Sequence, residues 1–115
     1  MKEKIILVVA GGRDYAWTEA DTAFLNSLPE PWVVLTGGSG IVDTRAEQWA
    51  RSKGIQPIIA YALWDYYSKA AGPIRNSVMA QLATHAAIFP GHTGTADMLK
   101  KAQEMGLVIH MREGT

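Results

Sequence analysis

The sequence predicts an α/β fold: one domain over residues 1–115, with a mostly parallel five-stranded sheet flanked by about four helices. Five short apolar or β-rich runs alternate with segments of helical spacing, which is the order of a parallel sheet with crossover helices. The first run, Ile5–Ala10, is apolar without alternation, as in a strand that is buried on both faces. Glycine-bearing turns follow three of the runs, and we find no internal repeat or linker in the sequence.

The first helix is predicted between the first two strands. Thr18 and Asp21 have the spacing of a capping box, which marks a helix start. Pro29 and Pro31 end this helix, because proline disfavours helical backbone at the residue before it. Residues at helical spacing form its predicted buried face: Ala20, Ala23, Phe24 and Leu28.

The second strand, Trp32–Leu35, leads through a glycine turn into a second helix, which Gly54 ends as a C-cap. The third strand is reduced to Ile58–Ala60, because Pro57 lacks the N–H group that a central strand donates. The second helix has one apolar face that is predicted to be buried: Val42, Ala46, Trp49 and Ala50.

A longer connection, residues 63–72, is predicted to be irregular, and such segments in compact domains are often functional. Pro73 then suits the first turn of a helix. The fourth strand is predicted at Ala86–Phe89 and the fifth at Leu107–Ile109, with Gly106 as the helix cap between them. The last two helices have predicted buried faces that consist of Ile74, Val78, Met79 and Leu82 in the first, and of Met98, Leu99, Ala102 and Met105 in the second.

Composition and charge exclude several classes of protein. Of 115 residues, 48% are hydrophobic, as in a folded domain, and none is cysteine, which excludes disulfides, thiolate metal sites and cysteine nucleophiles. The formal net charge is zero without a basic run, which argues against binding to nucleic acid. The apolar run after Met1–Lys4 is too short for a signal peptide, and no apolar stretch approaches the roughly 20 residues of a membrane span. We expect a cytoplasmic protein with no cofactor and no metal.

The turn chemistry predicts an anion site at the carboxyl edge of the sheet. Ile88–Met98 has the pattern of strand, glycine turn and helix start, and the first N–H groups of a helix attract anions. Thr93 or Thr95 is predicted to cap this helix. Because parallel strands end at one edge, the three glycine turns and the connection before Pro73 should converge there. The predicted ligand- or phosphate-binding residues are Gly11, Gly12, Arg13, Asp14, Thr36, Gly37, Gly38, Ser39, Gly40, Asp43, Arg75, Asn76, Pro90, Gly91, His92, Thr93, Gly94 and Thr95.

Four segments, in the same order, resemble the SLOG superfamily of Rossmann-like proteins. They are GGRDY at 11–15, the Thr36–Asp43 turn with the following Ala46–Glu47, AGPIRN at 71–76, and PGHTGTADM at 90–98. The closer resemblance is to small bacterial and phage proteins related to YpsA; the superfamily also contains the LOG phosphoribohydrolases and the DNA-processing DprA proteins. The resemblance covers nearly the whole chain. It implies a Rossmann-like fold and a nucleotide or nucleotide-derived ligand.

The resemblance to the LOG enzymes also implies a reaction. Those enzymes cleave the N-glycosidic bond of nucleoside monophosphates, and their Pro-Gly-Gly-x-Gly-Thr signature leads to a catalytic glutamate three residues after the threonine. Here Met98 stands at that position, Asp97 is the neighbouring carboxylate, and His92 replaces the second glycine. Arg75 looks like the counterpart of the catalytic arginine, with Asn76 in place of the lysine that follows it. The candidate catalytic residues are therefore Arg75 and Asp97.

Several side chains of the predicted site have two interpretations. Asp43 either contributes to the ligand site or caps its helix. Arg13 and Asp14 either face the ligand or form a structural pair. Glu47 lies one helical turn after Asp43, so the two carboxylates share a face, but a metal site there has little support.

Aromatic and histidine side chains outside the glycine turns also have two interpretations. Trp64, Tyr66 and Tyr67 could stack on a base, although packing in the core or against another subunit is the simpler interpretation. His85 and His110 have no metal-binding spacing and are interpreted as structural.

Three functions fit the sequence. The leading hypothesis is binding or sensing of a nucleotide-derived small molecule through the glycine turns. The alternative is LOG-like hydrolysis of an N-glycosidic bond, and a third is a DprA-like accessory role in DNA processing, against which the neutral charge argues. Because the LOG relatives are dimers or larger, we expect a homo-oligomer whose interface is formed by helices.

Overall fold

A five-stranded, fully parallel sheet forms the centre of the molecule, as described by a computed structural model for residues 4–112. The strand order is β3-β2-β1-β4-β5, so that the first strand lies in the middle. The predicted α/β class is thereby confirmed. The strands are β1 (Ile6–Ala10), β2 (Val33–Thr36), β3 (Gln56–Ile59), β4 (His85–Ile88) and β5 (Val108–Met111).

Four helices of nine or more residues connect the strands, and a short helical segment precedes one of them. The connection at residues 63–72, predicted to be irregular, contains a four-residue helix and a 3-10 turn at Ser68–Ala70. The next helix begins two residues before Pro73, whose missing N–H costs nothing in a first turn. The helices are α1 (Glu19–Ser27), α2 (Ile41–Ser52), α3 (Trp64–Tyr67), α4 (Ala71–Leu82) and α5 (Thr93–Glu104).

The central position of β1 in the sheet explains why its sequence is apolar at every residue. Leu7 and Val9 point into a core layer that contains residues of α1 and α2, whereas Val8 points into the layer that contains residues of α4 and α5. All three side chains are at most 1% exposed. A strand with helices on both faces needs apolar side chains at every position, not at alternate ones.

The buried face predicted for α4 is wrong at three of its four positions. Ile74, Val78 and Leu82 are 39%, 47% and 57% exposed, and only Met79 is buried. The helix buries small residues instead, because it packs closely against α5 and the sheet. The buried residues of α4 are Ala71, Gly72, Asn76, Met79 and Ala80.

Other predictions of burial and of strand bounds also differ from the structure. In α1 the predicted Ala20 and Ala23 are exposed, while Asp21 and Leu25 are buried. Met105 follows α5 and is 52% exposed. Strand β3 includes Pro57, which an edge strand tolerates because its unpaired side needs no N–H donor.

Two tryptophans and two histidines contact other side chains of the domain rather than the predicted ligand site. Trp17 stacks on Phe89 at a ring-centroid distance of 4.9 Å, but Trp32 is 56% exposed and lies under the ammonium group of Lys4. His85 and His110 stack, with Nδ1 and Nε2 3.2 Å apart. Burial and the adjacent His85 lower the pKa of His110.

Within residues 4–112, no helix has the length and apolar character needed to cross a membrane.

Asp21 is a fully buried carboxylate that joins the start of α1 to the end of β5. Its oxygens accept hydrogen bonds from the Tyr15 hydroxyl (2.8 Å), the Thr18 backbone N–H (2.8 Å) and Nε of Arg112 (2.8 Å). Burial acts to raise the pKa of Asp21, but these hydrogen bonds outweigh it and hold the pKa below its ordinary value. The capping box predicted from Thr18 and Asp21 is confirmed. Asp21 also holds the start of α1 to Arg112, which follows β5.

We expect Asp21→Ala to lower the free energy of unfolding by about 3 kcal/mol, because the change leaves buried donors without an acceptor. Urea unfolding at neutral pH measures the loss. Glu19→Ala is the matched control, since Glu19 is in the same helical turn but exposed, and its effect should stay within about 0.5 kcal/mol. Equal effects of the two substitutions would contradict the structural role of Asp21.

Candidate functional site

The cleft of the molecule opens where the strand order reverses. β1 pairs with β2 on one side and with β4 on the other. The helices that follow β1 and β2 pack on one face of the sheet, whereas the helix that follows β4 packs on the opposite face. Such a switch point leaves a crevice at the carboxyl ends of the strands. The crevice here has a volume of about 630 Å³, which suits a small molecule.

Most of the residues predicted for the ligand site surround this cleft. Five others do not line it: Thr36, Gly38, Gly40, Pro90 and Gly91. The predicted residues that line it are Gly11, Gly12, Arg13, Asp14, Gly37, Ser39, Asp43, Arg75, Asn76, His92, Thr93, Gly94, Thr95 and Asp97.

Sequence reasoning did not assign several lining residues to the site. Val9, Ala10, Met79 and Met98 give the cleft apolar surface, and their apolar character in the sequence indicates only a core. Lys69 also lines the cleft, although no motif singles it out. Its position in the connection before Pro73, which was expected at this edge, is the only sequence signal that could have found it.

The glycine turns allow two strand ends to approach each other. The N–H of Gly12 donates to the Pro90 carbonyl at 2.8 Å, which links the turn after β1 to the turn after β4. A side chain at Gly91 would collide with Thr95 and with the Gly12 backbone. Both turns therefore need glycine for packing as much as for a ligand.

The first turn of α5 faces the cleft with free backbone donors. The helix begins at Thr93 with His92 as its N-cap, and no side chain caps it. The predicted cap by Thr93 or Thr95 is therefore wrong, because both residues already lie inside the helix. Since the first N–H groups of a helix have no acceptor within it, those of the first turn remain available to an anion. A Cβ at Gly94 would meet no atom within 4 Å, so packing alone does not require this glycine.

Arg75 lies on α4, beside α5, and extends toward the turn after β2. Its Nη1 donates to the Gly37 carbonyl at 2.8 Å, and its Nε donates to Oδ1 of Asn76 at 3.1 Å. A Cβ at Gly37 would displace the guanidinium group, so glycine allows Arg75 to take this position. These two bonds use only part of the five donors of arginine, which leaves the others for a ligand.

Asp97 lies in the cleft but is already engaged. Its Oδ2 accepts hydrogen bonds from Nζ of Lys101 at 2.8 Å and from Nδ2 of Asn76 at 2.9 Å. Burial acts to raise the pKa of Asp97, but the bonds from Lys101 and Asn76 hold it below its ordinary value. The group is therefore ionised at neutral pH and is a poor proton donor. Its catalytic role stays a prediction.

Met98, at the position of the LOG glutamate, is 1% exposed and packs with Val8 and Met79 in the core. No group of three or more His, Asp or Glu side chains within residues 4–112 is placed to hold a metal ion.

Asp43 is a second carboxylate of the cleft and is 5% exposed. Its Oδ2 accepts a hydrogen bond from the Ser39 N–H at 2.8 Å, one residue before the N-cap Gly40, so Asp43 holds the turn that precedes α2. Asp43 therefore fixes the turn before α2 and also lines the cleft, so its two interpretations are compatible. Burial raises its pKa to about 6, and Glu47 adds to this effect, whereas the Ser39 N–H and Arg75 oppose it.

The mouth of the cleft is polar and exposed. Asp14 and His92 are 87% and 84% exposed, and their side chains approach to 4.0 Å. The predicted structural pair of Arg13 and Asp14 is not among the ion pairs of residues 4–112. Arg13 instead fixes its turn through its carbonyl, which accepts from the Ile41 N–H at 2.9 Å. Trp64 lies at the rim, half exposed, beside Gly72.

The strand order and the cleft at the carboxyl ends define a Rossmann-like α/β domain. No family model matches the sequence, and no curated protein matches it. Among solved structures, the chain is similar to the X-ray structure of DNA processing protein A (DprA) from Streptococcus pneumoniae, with a TM-score of 0.72, 18% identity and coverage of 97% of this chain. The chain spans about half, 51%, of that protein. The relationship to the DprA fold is confirmed; the closer resemblances to YpsA-related proteins and LOG enzymes stay predictions.

The raised pKa of Asp43 predicts a pH dependence of stability. Because the pKa in the folded state exceeds the ordinary value of 3.8, the stabilisation by the protonated group is complete below that value and is lost as the pH rises through about 6. Asp43→Asn removes this dependence. We therefore expect the variant to gain about 2 kcal/mol relative to wild type between pH 4 and pH 7, measured by urea unfolding at both pH values.

Asp14→Asn is the control for this titration, since Asp14 also lines the cleft but is exposed. Its stability relative to wild type should not change across the same pH range. A parallel pH dependence in wild type and Asp43→Asn would contradict the raised pKa.

Proposed function

We propose that the protein binds a phosphate-bearing, nucleotide-derived small molecule in the cleft at the switch point. The observation that carries the proposal is the uncapped first turn of α5, which lines the cleft together with the half-buried guanidinium group of Arg75. Backbone N–H groups and arginine are the two donor types that best match phosphate oxygens. Gly94 supports this interpretation, because its missing side chain keeps the donors accessible although no neighbouring atom requires it.

The remaining surface of the cleft suits a nucleoside. Val9, Met79 and Met98 stand in its apolar wall with at most 2% of each residue exposed, and the ring of Trp64 stands at its rim. A volume of about 630 Å³ lies in the usual range of small-molecule sites. Trp64 offers an aromatic face against which a base could stack.

Binding without cleavage is the better-supported activity. Hydrolysis of an N-glycosidic bond passes through an oxocarbenium-like transition state, and the enzymes that catalyse it commonly supply a carboxylate near the reacting carbon. The LOG resemblance implies that this carboxylate would stand at the position of Met98, which is apolar and buried. The adjacent Asp97 is held by Lys101 and Asn76.

We expect Arg75→Ala to weaken the binding of nucleoside 5′-monophosphates by about tenfold to a hundredfold, because it removes a charged hydrogen-bond donor. Gly94→Ala should also weaken binding, since its methyl group would occupy the space in front of the helix donors. Isothermal titration calorimetry with inorganic phosphate and a panel of nucleoside monophosphates measures both effects.

Gly54→Ala is the matched control for Gly94→Ala. A Cβ at Gly54 also meets no atom within 4 Å, but the residue lies outside the cleft. Its positive φ of 72° makes alanine mildly unfavourable, so stability falls slightly while ligand binding stays unchanged. The proposal fails if wild type binds no member of the panel, or if Arg75→Ala and Gly94→Ala bind as wild type does.

Product analysis separates binding from hydrolysis. After incubation of wild type with each nucleoside monophosphate, chromatography should find no free base beyond that in a protein-free sample. Release of free base by wild type, but not by Asp97→Asn, would favour the LOG-like hydrolase instead.

A DNA-processing role is the second candidate, and the similarity of the fold to DprA favours it. The zero net charge and the absence of a basic run in the sequence count against it, because phosphate contacts supply most of the affinity for DNA. A gel-shift assay with single-stranded DNA at low salt tests it: a shift that Arg75→Ala abolishes would favour this role over small-molecule binding.

A further inference from the structure

We propose that Asp43 recognises the ribose hydroxyl groups of the ligand, so that the cleft takes a ribonucleotide-type phosphate ester with its 2′ and 3′ hydroxyls intact. The inference rests on the proposed function, because it requires a phosphate at the α5 end of the same cleft. It concerns the α2 side of the cleft, across β1 from the first turn of α5.

One oxygen of Asp43 remains after the turn has been fixed. Oδ2 accepts from the N–H and the hydroxyl of Ser39, at 2.8 and 3.4 Å, whereas Oδ1 has no hydrogen-bond partner within residues 4–112. In that part of the chain, no side-chain oxygen or nitrogen that is fully shielded from solvent lacks a partner. Oδ1 is therefore accessible, and because Asp43 is 95% buried and lines the cleft, it is an open acceptor in the cleft.

The surroundings of this oxygen select a neutral donor. A carboxylate repels phosphate, and Glu47 on the same helix adds negative potential. The nearby guanidinium group of Arg75 in turn disfavours a cationic ligand group. A hydroxyl group satisfies both conditions, since an O–H bond to a carboxylate is short and strong and introduces no charge.

The arrangement of strands separates the two ends of the site by a suitable distance. The anion-binding turn follows β4, and Asp43 lies on α2, which follows β2. Because β2 and β4 both pair with β1, these strands are about 10 Å apart, two strand spacings. In a nucleoside 5′-phosphate, the phosphate and the ring hydroxyls project from opposite sides of one sugar. The ribose would then lie over the end of β1, where Gly11 and Gly12 line the cleft.

Calorimetry with sugar-modified nucleotides tests the assignment. The ribonucleoside 5′-monophosphate that wild type binds most tightly is compared with its 2′-deoxy and 3′-deoxy forms. We expect at least one deoxy form to bind about tenfold more weakly or worse to wild type, because a hydrogen bond to a buried charged acceptor is lost. In Asp43→Asn, the three nucleotides should bind within about twofold of each other.

Glu47→Gln is the matched control, since Glu47 is a neighbouring carboxylate outside the cleft whose Oε2 already accepts from the Thr36 hydroxyl at 2.8 Å. It should keep the preference of wild type. Asp43→Ser serves as a second variant if Asp43→Asn does not unfold cooperatively.

Equal binding of the ribo and deoxy forms by wild type would overturn the role of Asp43 while leaving the proposed function intact. A preference that persists unchanged in Asp43→Asn would overturn it as well, because another group would then recognise the hydroxyls. Binding of no nucleotide at all would overturn the proposed function itself, and the inference with it.

Discussion

The side chain of Asn76 connects the parts of the molecule that make the cleft. It is 4% exposed, and both of its functional groups are occupied. Oδ1 accepts from Nε of Arg75, while Nδ2 donates to the Gly94 carbonyl at 3.2 Å and to Asp97 at 2.9 Å. The guanidinium group and the first turn of α5 are therefore positioned by one buried amide. Because a buried amide without partners is costly, this network favours a single arrangement of α4 against α5.

The central position of β1 explains why this network lies beside an open space. The turn that leaves β1 must pass close to those that leave β2 and β4. A Cβ at Gly11 would meet Phe89 and Val42, and Gly40, at a φ of 99°, lies against the backbone of Arg13. Side chains at these points would push the turns apart. Their absence keeps the walls of the cleft close enough to share one small ligand.

The sequence predicts this fold well because its strongest signals are local. Apolar runs mark the strands, and the glycine turns at strand ends place the site at one sheet edge. Apolar spacing does not predict the buried face of α4: Ile74 and Val78 are the larger side chains, but a closely packed helix buries its small ones. The open oxygen of Asp43 and the place of Lys69 in the cleft wall also escaped prediction, because the fold decides which side chains line the cleft.

The distribution of carboxylates within the cleft argues for recognition more than for catalysis. A hydrolase of the LOG type would carry its carboxylate on α5, but there the chain has the buried Met98 next to Asp97, whose charge Lys101 neutralises. An open carboxylate oxygen in the buried part of the cleft belongs to Asp43 on α2, across the central strand, whereas Asp14 lies exposed at the mouth. In the proposed binding mode, the first turn of α5 beside the end of β4 takes the anionic end of the ligand, Arg75 reaches from α4 to the turn after β2, and Asp43 takes the hydroxylated end. Such binding requires only fixed groups, not groups that exchange protons.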